Sequence, residues 1–171
     1  MLKTILSFIV MMNPFALFLY LTPVMKELKH QEFLLVLTKA SFISYGIILF
    51  FILTGESIFN IIFQIEFNSF RIFGGIVIFS FAYYYIVQGR KALIQLRGSL
   101  DDLAAEIAMP FMVGAGTISL AIIASGELTI GMNMVILPII LIINFLIILG
   151  LKTIRDHIMQ KRQRIAFDKT M

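Results

Sequence analysis

The sequence contains no cysteine, only two histidines and little charge, with 14% of its 171 residues being Asp, Glu, Lys or Arg. The missing cysteine removes disulfides, thiolate metal sites and electron relays through paired thiols. His30 and His157 each stand among charged residues, and no metal-ligand spacing joins them. No nucleophile–base set, P-loop or nucleotide fingerprint is present. The expectation is a protein that is not an enzyme and uses no cofactor and no metal. Scarce charge also excludes a soluble single domain, which averages about 25% charged residues. This chain is 60% hydrophobic with mean hydropathy +0.97, too apolar to cover a water-facing surface.

What the chain has instead is long apolar runs. About 20 such residues cross a bilayer, and five runs occur, at 2–22, 34–54, 70–88, 107–124 and 131–151. They predict an all-α fold, a polytopic membrane helix bundle of five transmembrane helices over residues 1–151, followed by a basic amphipathic tail over 152–171. In that tail Leu151, Ile154, Ile158 and Ile165 recur at helical spacing between basic residues, the pattern of a helix on an anionic membrane surface. Lys3 precedes the first run, but no small-x-small cleavage site follows, which argues against a signal peptide.

The basic residues are grouped by side. Lys26, Lys29 and Lys39, then Arg90, Lys91 and Arg97, then Lys152, Arg155, Lys161, Arg162, Arg164 and Lys169 fall on one side, leaving Lys3 and Arg71 opposite with Glu56, Glu66 and Glu127. The positive-inside rule puts the N-terminus outside and the tail in the cytoplasm. Tyr20 and Tyr83-Tyr84-Tyr85 sit toward the cytoplasmic ends of their runs, as an interfacial belt does. The net charge of +4 is therefore read as topology control, with the lipid bilayer and no nucleic acid as partner.

Two runs are interrupted by proline: Met12-Asn13-Pro14-Phe15-Ala16 and Ala108-Met109-Pro110-Phe111-Met112. Superposing Pro14 on Pro110 gives an offset of 96, which carries the second run onto the fifth. Three spans per repeat is odd, so the second copy enters the membrane from the other side, an inverted three-plus-three repeat of the kind secondary transporters use. The same offset predicts a sixth span at about 166–184, beginning near Ala166 and running beyond Met171. Without it, the third span lacks its counterpart. The flank near Gly74 and Gly75 is then expected to open to lipid or to a second copy in a homo-oligomer.

Proline removes a backbone donor and leaves carbonyls without helical partners, tolerated in lipid only where the backbone is buried in protein or lines a cavity. Asn13, Pro14, Phe15 and Ala16 in one half, with Gly114, Ala115, Gly116 and Thr117 in the other, are the candidate substrate-binding residues. The glycines expose amides at the start of a half-helix, which suits a carboxylate. Each break also has a plain structural reading, a kink or small-residue packing. Gly74 and Gly75 are assigned to helix packing, and Arg71 to the outer interface. Asn144 lies near mid-membrane, where a polar side chain faces protein. Asp101, Asp102 and Glu106 are read as solvated loop acids, with Glu106 beside the start of the fourth span. No acid falls mid-span, so coupling through an intramembrane carboxylate is not expected.

At these residues the chain resembles the MarC family of bacterial and archaeal inner-membrane proteins. The match rests on Phe70-Arg71-Ile72-Phe73-Gly74-Gly75-Ile76 with Phe79 and Ala82, on Gly55-Glu56, on Asn13-Pro14, and on Gly114-Ala115-Gly116 preceded by Pro110. It covers about residues 5–165. The family usually has Gly where Ala16 stands, Pro near Leu19 and Pro at Ala115, so the first break is less pronounced here. It has six spans, three plus three, against five in this chain. Some members resemble transporters of small neutral amino acids, and the resemblance implies a secondary transporter of such solutes or similar metabolites. The alternative is a non-transporting membrane assembly or regulatory subunit that uses the same glycines for helix contacts.

Overall fold

A computed structural model describes residues 2–88 and 99–168. The basic positions Arg90, Lys91, Arg97 and Lys169 lie outside the described residues, as does Tyr85's side chain. The described residues are helical, without strands: α1 (Leu2–Met12), α2 (Pro14–Tyr20), α3 (Thr22–Glu27), α4 (His30–Thr54), a π-helical turn (Ile58–Phe63), α5 (Phe67–Gln88), α6 (Leu100–Glu106), a second π-helical turn (Ile107–Met112), α7 (Ala115–Glu127) and α8 (Ile130–Asp168). Among them, three spans are long and apolar enough to cross a membrane: Leu2–Tyr20, His30–Thr54 and Ile130–Met159.

The helices differ from the apolar runs in ways the backbone explains. α4 starts at His30, where Lys29 is extended and its N–H donates to Glu32 Oε2 at 2.9 Å; it stops at Thr54 because Gly55 takes φ 55. α5 starts at Phe67. The fourth run is not one helix: Pro110 and the glycines divide it, and only 13 residues after the break form α7. α8 shows no boundary at 151/152. It runs through 39 residues, and Lys152 is buried, its Nζ donating to Asp156 Oδ2 at 2.6 Å and lying 5.6 Å from the Phe33 ring centre. Ser99 and Asp102 cap α6 reciprocally, with Asp102 Oδ2 accepting from the Ser99 N–H at 2.9 Å and the Ser99 hydroxyl at 2.8 Å. Glu106 therefore ends α6 rather than opening the fourth span.

Over residues 130–151, α8 is apolar on nearly every face, as a helix set between protein and lipid must be. Ile136, Leu137, Ile140, Leu141, Asn144 and Ile148 form its buried stripe, while Val135, Ile142 and Leu146 are exposed. That stripe joins Phe8, Met12 and Leu17 of the first span and Val36, Leu37 and Ala40 of α4 in one core. In lipid such packing is held by dispersion and close fit, since the tails outside are as apolar as the side chains. A small satellite core of Ile58, Phe59 and Ile122 lies against Phe67 and Phe70, with the Phe59 and Phe70 rings 4.7 Å apart.

Two hydrogen-bonded ties set the register. Arg155 donates to the carbonyls of Thr22 (3.4 Å) and Met25 (3.2 Å), holding α8 to α3 at the basic end. Asn133 Nδ2 donates to the Ala124 carbonyl at 3.1 Å, holding α8 to α7 at the other end. An ion pair between Lys39 and Asp101 joins α4 to α6.

Candidate functional site

The first break is a single residue. Asn13 adopts the left-handed conformation (φ 42, ψ 69), which asparagine tolerates better than most residues. Its Oδ1 accepts from the Ala16 N–H at 3.2 Å, and Pro14 opens α2 where its missing N–H is no loss. The loss falls on the preceding turn, because the Val10 carbonyl has no donor four residues on. Pro14 is buried, Ala16 half-buried, Asn13 exposed and Phe15 63% exposed.

The second break is longer. Met109, before Pro110, is forced to extended angles (φ −121, ψ 124), and the chain widens into the π-helical turn, closed by the Val113 N–H on the Ala108 carbonyl at 2.8 Å. Gly114 is extended and α7 restarts at Ala115 with no side chain capping its amides. Gly114, Ala115 and Gly116 are half-buried. Thr117 is buried, and its hydroxyl donates to the Gly114 carbonyl at 2.8 Å. The two breaks thus share a proline but not a backbone form.

They meet. A Cβ placed on Gly116 would lie 2.9 Å from Met11 Sδ, so α1, two residues before its break, rests on α7 one residue after its start. The Tyr20 and Phe111 rings, 4.7 Å apart, bring the end of α2 beside the π-helical turn. Gly74 is buried, and a Cβ there would collide with the Cβ of Ala115. Gly75 is exposed with nothing within 4 Å of a Cβ. The glycine pair therefore divides: Gly74 is closed against α7, while Gly75 faces outward on a stretch of α5 where Ile72, Phe73, Ile76 and Phe79 are exposed.

Two further features lie in the bundle interior and at the basic end. Asn144 is fully buried, and neither amide atom has a hydrogen-bond partner. His30 and His157, far apart in the chain, line one cavity of about 620 Å³ at the basic end with Lys26, Arg155 and Asp156. Mid-membrane depth signalled that Asn144 faces protein; nothing local signalled that the two histidines share a cavity. No group of three or more His, Cys, Asp or Glu able to hold a metal ion occurs among the described residues.

Comparison with known proteins agrees with this architecture. A family model described as MarC family integral membrane protein matches residues 1–166. A UPF0056 membrane protein of Aquifex aeolicus is 28% identical over 133 residues, covering 74% of this chain and 62% of its own. A UPF0056 membrane protein of Pyrococcus horikoshii is 27% identical over 132 residues, covering 74% of this chain and 65% of its own. The matched region thus spans less than two thirds of either relative. No solved structure matches. With a family match over nearly its whole length and several membrane-length apolar helices, the chain is an integral membrane protein belonging to the MarC family.

Proposed function

We propose that this protein is a secondary transporter of small neutral amino acids or similar metabolites in the cell inner membrane. Its five spans lie N-terminus outside and tail inside, related as an inverted repeat. The observation that carries the reading is the contact between the broken helices, Met11 against Gly116. Discontinuous helices meeting inside a bundle are how transporters build a midplane site, because half-helix ends supply charge-like groups without a formal charge. The uncapped amides of α7 at Ala115, Gly116 and Thr117 suit a carboxylate. The carbonyl of Val10, freed by Pro14, suits an ammonium. Asn13, Pro14, Phe15 and Ala16 frame one side and Gly114 the other. Rocking of one half against the other would then expose the site alternately.

Among the described residues, the buried polar and charged ones include no Asp or Glu, which favours uniport, exchange or an ion held by backbone carbonyls over a carboxylate relay. Uptake of labelled glycine, alanine and serine into proteoliposomes tests the reading. Saturable uptake supports it. Absence of uptake across a broad solute panel, with the protein folded, overturns it in favour of an assembly or regulatory subunit.

A further inference from the structure

We infer that Asn144 is a substrate-contacting residue at the junction of the two helix breaks, and that it selects zwitterionic solutes; the inference rests on the transport reading above. Five polar or charged residues are buried among the described ones: Ser44, Thr117, Asn133, Asn144 and Lys152. Four have partners. Ser44 donates to the Ala40 carbonyl at 2.8 Å, Thr117 to Gly114 at 2.8 Å, Asn133 to Ala124 at 3.1 Å and Lys152 to Asp156 at 2.6 Å. Asn144 alone has none, with Nδ2 and Oδ1 both unmet at 0% exposure. A bundle core surrounded by lipid offers no bulk water to meet them, so both amide atoms call for a polar partner at this depth, which a bound solute, ion or single water supplies.

Its depth coincides with both breaks, by two independent measures. Arg155 is tied to Thr22, and α8 and the first span run in the same direction toward that tie. Asn144 lies eleven residues before Arg155 and Asn13 nine before Thr22, about 16 Å and about 13 Å back along the respective helices. Asn133 is tied to Ala124. Asn144 lies eleven residues after Asn133 and Gly114 ten before Ala124, about 16 Å and about 15 Å from that tie. Asn144 therefore sits within about one helical turn, in depth, of each break, on the face of α8 buried in the bundle core.

The amide has the chemistry a zwitterion needs. Nδ2 donates to a carboxylate and Oδ1 accepts from an ammonium, adding one contact to each end of the solute beyond those from the helix ends. The nearest buried charge on α8, Lys152, is eight residues away, about 12 Å, and already paired. A solute bearing net charge would thus meet no counter-ion at this depth.

The full chain, reconstituted and purified, provides the test, with alanine as probe and Asn144→Leu and Asn144→Ser as variants. The expected result is that Asn144→Leu folds with a thermal midpoint no lower than wild type, because leucine fills the same space without unmet atoms. Its KM for alanine should rise about tenfold or more, and the alanine-induced rise in thermal midpoint should vanish. Asn144→Ser should be intermediate. Wild-type KM and an intact alanine shift in Asn144→Leu overturn the inference while leaving the transport reading in place; should that variant not fold, wild-type KM in Asn144→Ser does the same. If the wild type moves no alanine, glycine or serine, the transport reading falls. The thermal shift then decides separately: an alanine shift lost in the variants keeps Asn144 as a ligand contact, and one that is absent in wild type or unchanged in the variants overturns it.

Discussion

Gly116 lies directly against Met11, close enough that a methyl group on the glycine would fall 2.9 Å from the methionine sulfur. The flexible thioether can move aside for one carbon but not for a branched side chain. Gly116→Ala should therefore cost less than about 1 kcal/mol, and Gly116→Val about 1–3 kcal/mol. Met11→Ala should restore much of the Gly116→Val loss if the two side chains are direct neighbours. Denaturation of the four proteins in detergent, analysed as a double-mutant cycle, measures that coupling.

Neighbouring glycines should behave oppositely. Gly74 abuts Ala115, so Gly74→Val should destabilise by about 1–3 kcal/mol through overpacking and lower uptake by displacing the start of α7. Gly75 has open space around it, and Gly75→Ala should be neutral or slightly stabilising, by up to about 1 kcal/mol. Equal losses at both positions would contradict the placement of Gly74 against α7 and of Gly75 facing outward.

At the first break, Asn13→Ala removes the bond to the Ala16 N–H and places a Cβ residue at φ 42, with an expected loss of about 1–2 kcal/mol. Asn13→Gly keeps the backbone conformation and loses only the cap, so its cost should be a few tenths of a kcal/mol, roughly. Chemical denaturation in detergent separates the two.

The pattern of legibility follows from the range of the physics. Proline and glycine act on the backbone within a turn of themselves, so the interruptions at Asn13-Pro14 and at Pro110 to Gly114 could be placed from sequence. Three of the apolar runs, the first, second and fifth, could too, because lipid selects them by length. Which of Gly74 and Gly75 meets a neighbour depends on the rotation of a whole helix, which no local signal sets. The six-residue π-helical turn before Gly114, the burial of Lys152 against Phe33, and the cavity that His30 and His157 both line depend on how segments distant in the chain come together.

A pH dependence is expected at α6. The Ser99 backbone N–H and then its hydroxyl hold the Asp102 carboxyl below its ordinary value of 3.8. A depressed folded value means the cap contributes above the unfolded carboxylate range, and the contribution is lost as pH falls through the folded value. Amide hydrogen exchange in α6, followed with decreasing pH, should show fraying of Leu100–Glu106. Ser99→Ala should fray this helix already at neutral pH and flatten the dependence.

The absence of native cysteine allows the central claim, that the two helix breaks meet at a transport site, to be tested with one engineered pair. Met11→Cys and Gly116→Cys, introduced together and reconstituted, should form a disulfide on mild oxidation. Alanine uptake should stop on oxidation and return on reduction. Failure of the pair to cross-link in folded protein, or full-rate alanine uptake by the cross-linked form, would contradict the account.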